Sequence, residues 1–238
     1  MTDELAATAA PEFDTFAEAY DRALAEGISV SGEDKTYFAR GRLAWLGRRL
    51  QTMNFAARSV LDFGCGTGSS TPYFHECLVA ESILGIDVSA ASLRIARRDH
   101  GSATTQFAMV DEHRPAGNID LAFCNGVFHH IPPAERLSAV EHVFDSLRPG
   151  GLFAYWENNS WNPATRYVMS RIPFDRDAIT LTPPESRRLL RSGGFEVLET
   201  RYHFIFPRAL RWLRPLEPVV SRWPLGTQYV VLCRRPAS

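Results

Sequence analysis

The chain has 238 residues, 45% of them hydrophobic and 22% charged, with a formal net charge of −1. That is the composition of an ordinary globular domain, long enough to bury a substantial core. It contains no run of eighteen apolar residues to span a bilayer, and its balanced charge exerts no global pull towards nucleic acid. The four cysteines, Cys65, Cys77, Cys124 and Cys233, form no C-x-x-C pair. They read as free thiols, with neither a zinc knot nor a disulfide framework.

Asp3 and Glu4 stand where a secretory signal would carry basic residues, so the expected compartment is the cytoplasm. Between Thr2 and Asp34 nine acids face Arg22 alone. Apolar spacing predicts helices over 13–26, through Phe13, Phe16, Ala17 and Tyr20, and over 36–53, through Phe38, Leu43, Leu46 and Leu50. The first strand is "RSVLDF", followed by a glycine turn and a helix opening at 69–72. "SILGIDV" is a second strand, and "AASLRIARRDH" after it is a helix with Ser89 as its cap. "QFAMVD" and "IDLAFCNGV" are the third and fourth strands, "PAERLSAVEHVFDSL" a helix, and "GGLFAYWEN" a fifth strand entered through the Arg148–Gly151 turn. Such alternation specifies an α/β fold with a parallel sheet covered on both faces.

Residues 158–181 break the alternation and read as an inserted segment. "TPPESRRLLRSGG" then gives a helix capped at Thr182, and "FEVLETRYHFIF" and "GTQYVVLCRR" give two closing strands. Between those strands, "PRALRWLRPLEPVVSRW" has helical spacing interrupted by Pro215 and Pro218. From Arg201 onward seven arginines face Glu217 alone. The aromatic and arginine stripe is read as cover for a sheet edge. Membrane contact is the disfavoured alternative, because the prolines interrupt a continuous interfacial helix.

The chemistry concentrates in "VLDFGCGTGSS", where Asp62, Gly64, Gly66 and Gly68 form D-x-G-x-G-x-G between a strand and a helix. Glycine there permits positive φ and lets a ligand approach the backbone, while the helix start offers unpaired N–H groups. Asp87 ends the second strand nineteen residues after Gly68, where a carboxylate can accept from vicinal ribose hydroxyls. The strict alternation of Gly64, Gly66 and Gly68 does not fit the G-x-G-x-x-G of dinucleotide sites, so a nicotinamide-dependent oxidoreductase is disfavoured.

With these motifs in order over about residues 58–200, the chain resembles the class I methyltransferases that use S-adenosylmethionine. The resemblance implies a doubly wound, mostly parallel, seven-stranded Rossmann-like sheet. It also implies an N-terminal helical cap over 1–57, a core over 58–238 and an acceptor insertion at about 158–181. In that family the glycine turn carries the methionine end of the cofactor, an acid like Asp87 the ribose, and an acid like Asp111 in "FAMVDE" the adenine amino group. Asp62 positions the turn, Val88 packs on adenine, Asn125 ends the fourth strand at the cofactor, and Tyr20 and Arg42 belong to the covering helices. "NIDLAFCNGVFHHIPP" and "LRPGG" are similar to further family landmarks.

For the chemical step, His129 and His130 after strand four and Glu157 at the end of strand five are the candidate bases for an acceptor hydroxyl. The alternative for the histidines is closure of the cofactor pocket. No metal is required. In the insertion, Asn158, Asn159 and Arg166, with Trp156, Trp161 and Tyr167, suit a polyhydroxylated acceptor. The expectation is methyl transfer to a small molecule, first a hydroxyl of a saccharide or lipid-linked sugar, with a quinone or phenolic metabolite as the alternative. The rival class is a non-catalytic cofactor-binding or scaffold protein. Nucleic acid is disfavoured as a partner, since no basic domain is appended and "NGVFHH" replaces the Asn/Asp-Pro-Pro-aromatic signature.

Overall fold

The computed structural model describes residues 27–172, 175 and 178–237; the helix expected over 13–26 lies outside them. The described elements are α1 (Lys35–Thr52), β1 (Ser59–Phe63), α2 (Thr71–Cys77), β2 (Ser82–Asp87), α3 (Ala90–His100), β3 (Thr105–Met109) and β4 (Ile119–Asn125). There follow α4 (Arg136–Ser146), β5 (Leu147–Asn158), α5 (Pro163–Arg171), α6 (Pro183–Ser192), β6 (Glu196–His203), a 3-10 helix (Arg208–Leu216), α7 (Glu217–Val220) and β7 (Gln228–Arg234). The helix starts are chemically marked. Asp34 accepts from Tyr37 N–H at 2.8 Å, Ser89 Oγ from Ser92 N–H at 3.1 Å, and Asn162 Oδ1 from Ala164 N–H at 2.9 Å. Each satisfies an N–H that the helix itself cannot.

The seven strands lie in the order β3-β2-β1-β4-β5-β7-β6. All neighbours are parallel except β7, which runs antiparallel to both β5 and β6. This is the expected mostly parallel, doubly wound sheet. The strand order reverses between β1 and β4, which is where ligands bind in open sheets of this kind, beyond the carboxyl ends of the strands. One expectation is modified: the Arg148–Gly151 turn is absorbed into the start of β5, with a register irregularity opposite Ile119 and Leu121 and Gly150 at φ +77°.

Period-two alternation divides the strands between two cores. Val60, Phe123, Leu152, Ala154, Trp156, Val230 and Leu232 pack with α1 and α2, while Leu61, Cys124, Phe153, Tyr155, Val231 and Cys233 pack with α4 and α6. The N-terminal cover is therefore welded to the sheet through Leu43, Leu46 and Leu50.

Close contact between α1 and α2 depends on Gly47, where an added Cβ would lie 2.2 Å from the carbonyl oxygen of Cys77. Backbone cannot yield as a side chain does. Although alanine is the better helix former, Gly47→Ala should therefore destabilise the fold, by roughly 1–3 kcal/mol as for other overpacked sites. Urea unfolding of the two proteins checks this; an unchanged or raised midpoint would contradict the packing described.

Candidate active site

The glycine turn has the conformation its sequence requires: Gly64, Gly66 and Gly68 stand at φ +71°, +53° and +78°. Their reasons differ. A Cβ on Gly64 would approach Val127 Cγ2 to 2.3 Å, and one on Gly68 would approach His100 Cδ2 to 2.8 Å, whereas one on Gly66 would meet nothing within 4 Å. The first and third glycines are closed against protein, and the middle one faces open space. Gly66 N–H donates to Asp87 Oδ2 at 2.8 Å, and Ser89 N–H donates to Asp87 Oδ1 at 2.9 Å. Asp87 thus ties the glycine turn to the end of β2 and the start of α3.

Asp62 lies beneath the turn, 3% exposed. Burial raises its pKa to about 7, the Asp87 charge adds to the rise, and Arg42 opposes it. Arg42, also buried, donates to Gln228 Oε1 at 3.0 Å and so joins α1 to β7 at this edge. Asp62 Oδ2 and Asn125 Oδ1 are buried acceptors without a hydrogen-bond partner. Such atoms are costly unless a ligand or water completes them. Val88 is half-buried after β2, and Asp111 is exposed beyond β3. Tyr20 lies outside the described residues. The open side of Gly66, the Asp87 carboxylate beside it and the incomplete acceptors at the β1 and β4 ends fit the polar end and ribose of a nucleoside-like cofactor.

Around β4 and β5 the geometry redistributes the roles expected of His129, His130 and Glu157. Glu157 is 1% exposed. It accepts from Phe128 N–H at 2.9 Å and Asn158 N–H at 3.2 Å, and lies 2.7 Å from His129 Nδ1. The other ring nitrogen of His129, Nε2, is 3.4 Å from Asp175 Oδ1, which is also 3.3 Å from His130 Nε2. At these distances neither contact is a well-directed hydrogen bond, and His129 Nε2 and Asp175 Oδ1 are both without a directed partner. Burial alone would lower the pKa of His129, but Glu157 and Asp175 outweigh it and bring it to about 10. His129 is thereby a buried imidazolium at neutral pH and unsuited to take a proton. Glu157 is equally enclosed. His130, with its side chain 15% exposed, is the more accessible of the two imidazoles. Among the described residues, the ligating atoms of His129, His130 and Asp175 lie within 4.8 Å of one another; the carboxylate and imidazolium charges account for that clustering.

The acceptor candidates also separate. Asn159 is 0% exposed, and its Nδ2 donates to the carbonyls of Pro224 and Gly226 at 3.2 and 2.8 Å. Its Oδ1 accepts from Trp161 N–H at 3.2 Å. Its amide therefore holds the turn before β7 and is used up, which removes it as a natural hydroxyl ligand. Asn158 Oδ1 accepts from Gln228 Nε2 at 3.2 Å and keeps its own amide N–H groups. Arg166 projects from α5 as an exposed residue. Trp156 is wholly buried against Trp45 and His203, so it is core and not a stacking platform. Asp175 and Gln228 went unremarked in the sequence, because each acts across more than 40 residues and neither stands in a recognisable motif.

The charge state of His129 has a sign-definite consequence. Its folded pKa of about 10 lies above the unfolded value near 6.5. The native state consequently holds the extra proton between those values, and its contribution to stability, complete below about pH 6.5, is lost as pH rises through about 10. Thermal midpoints from pH 6 to 10 should fall more steeply for the native chain than for His129→Gln. Parallel curves would show that the imidazole is not held charged by Glu157 and Asp175.

Comparisons with known proteins identify the family. Residues 60–151, the glycine turn through the start of β5, match the family model for a methyltransferase domain. A trans-aconitate 2-methyltransferase from Delftia acidovorans is 33% identical over 201 residues, covering 72% of this chain and 74% of the relative. Another, from Afipia carboxidovorans, is 33% identical over 140 residues, covering 59% of this chain and 52% of the relative. For several of these relatives the chain spans only about half of their length. In fold, it is similar to an S-adenosylmethionine-dependent methyltransferase from Mesorhizobium loti, with TM-score 0.58, 19% identity and coverage of 79% and 96%. It is also similar to a chain of the complex between the Haloferax volcanii Trm112 activator and a methyltransferase, with TM-score 0.65, 19% identity and coverage of 94% and 98%. Sequence kinship over most of a relative, together with the glycine turn and the strand order, establishes that the chain belongs to the class I S-adenosylmethionine-dependent methyltransferases.

Proposed function

We propose that the protein transfers a methyl group from S-adenosylmethionine to an oxygen of a small polar acceptor docked over the carboxyl ends of β4 and β5. The observation that carries this reading is the turn at Gly66, open on its ligand side and tied through its N–H to Asp87. The cofactor supplies an electrophilic methyl group on a sulfonium. The chain's task is to hold it, orient the acceptor and exclude water. Gly64, Gly66 and Gly68 receive its amino-acid end, with Asp62, Arg42 and Asn125 beneath and beside it. Asp87 takes the ribose hydroxyls, its carboxylate lying at the end of β2 beside the open turn. Val88 and Asp111 border the adenine.

His130 is the group we assign to the acceptor's proton. Asp175 beside it can stabilise the imidazolium that forms, while His129 and Glu157 hold the loop that carries it. Asn158 and Arg166 are the acceptor contacts that keep unspent donors. A saccharide hydroxyl, free or lipid-linked, remains the leading acceptor because it needs a base, with a phenolic oxygen next. A second reading comes from the relatives named trans-aconitate 2-methyltransferases. A carboxylate acceptor is already ionised and needs no base, only cations such as Arg166 to seat it.

Calorimetry should show binding of S-adenosylmethionine that NADH does not displace. Asp87→Ala should weaken it by roughly 3–6 kcal/mol, two hydrogen bonds to a charged partner at about 1.5–3 kcal/mol each. Undiminished affinity would remove Asp87 from the ribose.

The acceptor readings part on His130. Radiolabelled methyl transfer would be measured on a panel of saccharides, phenols and tricarboxylic acids. With a hydroxyl acceptor, His130→Gln should lower kcat by about 10²–10⁴-fold, the usual contribution of a general base, and leave cofactor affinity intact. With a carboxylate acceptor kcat should hold. Product on trans-aconitate but on no hydroxyl compound would settle the matter against the saccharide.

A further inference from the structure

The segment between β6 and β7 meets the edge strand as its sequence suggests, with Ser221 O accepting from Tyr202 N–H of β6 at 2.7 Å, but its largest side chains do not pack there. Its arginines nearest the fold are indeed anchored. Arg214 pairs with Glu33 at 2.8 Å and lies 4.5 Å over the Tyr37 ring, and Arg208 donates to Gly32 O at 3.3 Å. Its apolar side chains point the other way. Trp212 is 71% exposed, Val219 77%, Trp223 64% and Leu216 51%. Pro215 and Pro218 explain how: the chain forms a short 3-10 helix and then the four-residue α7 instead of one continuous helix. The polar contacts fix the backbone from inside and leave the apolar residues without a core.

Among the described residues, the exposed charged side chains of this segment are all arginines. Arg211 and Arg222 are exposed and enter no ion pair among the described residues. The only acid of the segment, Glu217, turns inward to accept from Ile205 N–H and Phe206 N–H, each at 3.1 Å. Behind the segment, between it and α1, a cavity of about 820 Å³ is lined by Arg48 and Arg222, by Glu199 and Glu217, and by Tyr37 and Trp45. Apolar side chains with tryptophans at the surface and uncompensated arginines beside them are the combination that enters the headgroup region of an anionic bilayer. A second copy of the chain fits less well, because a two-fold interface would set Arg211 and Arg222 against their own counterparts.

We infer that the 208–225 surface docks the protein on a membrane rich in anionic phospholipid, with Trp212, Leu216, Val219 and Trp223 at the headgroup boundary and Arg211 and Arg222 on the lipid phosphates. The contact is peripheral: among the described residues no helix is long and apolar enough to cross a membrane. The docked surface is also coupled to the proposed acceptor segment. Asn159 holds Pro224 and Gly226, and Asn162 Nδ2 donates to Leu225 O at 2.7 Å. The inference does not depend on which oxygen is methylated.

Co-sedimentation of the full chain with phosphatidylcholine vesicles, and with vesicles containing phosphatidylglycerol, tests it. Binding should require the anionic lipid and weaken with added salt. Arg211→Glu with Arg222→Glu should lower partitioning at least about fivefold per arginine. Trp212→Ala with Trp223→Ala should lower it at least about tenfold, as expected when interfacial apolar area is removed. Retained S-adenosylmethionine affinity would show that both double variants are folded, since neither pair touches that site. Equal binding to neutral and anionic vesicles, undiminished binding of the tryptophan variant, or a dimer that the tryptophan variant abolishes without any vesicle binding would each overturn the proposal.

Discussion

The interaction on which this carboxyl edge depends is the burial of the Glu157 carboxylate. A charge taken so far from water is tolerable only if donors replace its hydration, and three groups converge to do so: Phe128 N–H, Asn158 N–H and the His129 ring. Meeting that demand draws the loop after β4 over the end of β5. The same loop places Val127 against Gly64, where no Cβ fits, so the first glycine of the cofactor turn is in effect required by a carboxylate two strands away. His129 O in turn accepts from Ile179 N–H at 3.0 Å, and the His129 ring faces Asp175. One buried acid therefore ties together the glycine turn, the β4 loop and the inserted segment.

This has a consequence for how the site divides its labour. Residues whose hydrogen-bonding capacity is consumed within the protein are scaffolding, however catalytic their type. Glu157 and Asn159 fall in that group, and His129 is held beside them by the two carboxylates that flank its ring. Residues whose side-chain donors stay available, as in Asn158 and Arg166, are the ones proposed to meet a ligand. The distinction is one of satisfied against unsatisfied polar atoms, and proximity to the strand ends does not decide it.

A similar inward use of polar groups shapes the β6–β7 connection at the same edge. Glu217, Arg214, Asn159 and Asn162 all spend their side chains fixing backbone between β6 and β7. Because that segment is pinned by polar contacts and not by a hydrophobic stripe, its tryptophans are free to face outward. The turn after β5 meets this segment through Asn159 and Asn162, which donate to the carbonyls of Pro224, Leu225 and Gly226.

The sequence by itself determined the local elements and the cofactor turn. Alternation of apolar residues, caps such as Asp34 and Ser89, and the spacing of Gly64, Gly66 and Gly68 are short-range signals, and each depends on neighbours a few residues away. The seven strands, their doubly wound arrangement and the place of Asp87 were therefore legible. Only the tertiary structure decided which polar residues were already spent. That His129 is sandwiched by Glu157 and Asp175, that Arg42 meets Gln228 across 186 residues, and that Asn159 supports Gly226 instead of a ligand depend on contacts between distant segments. The outward turn of Trp212 and Trp223 is of the same kind. A stripe of arginines and aromatics has one pattern whether it packs or faces solvent, and the choice is made by where the chain's other groups have already satisfied their hydrogen bonds.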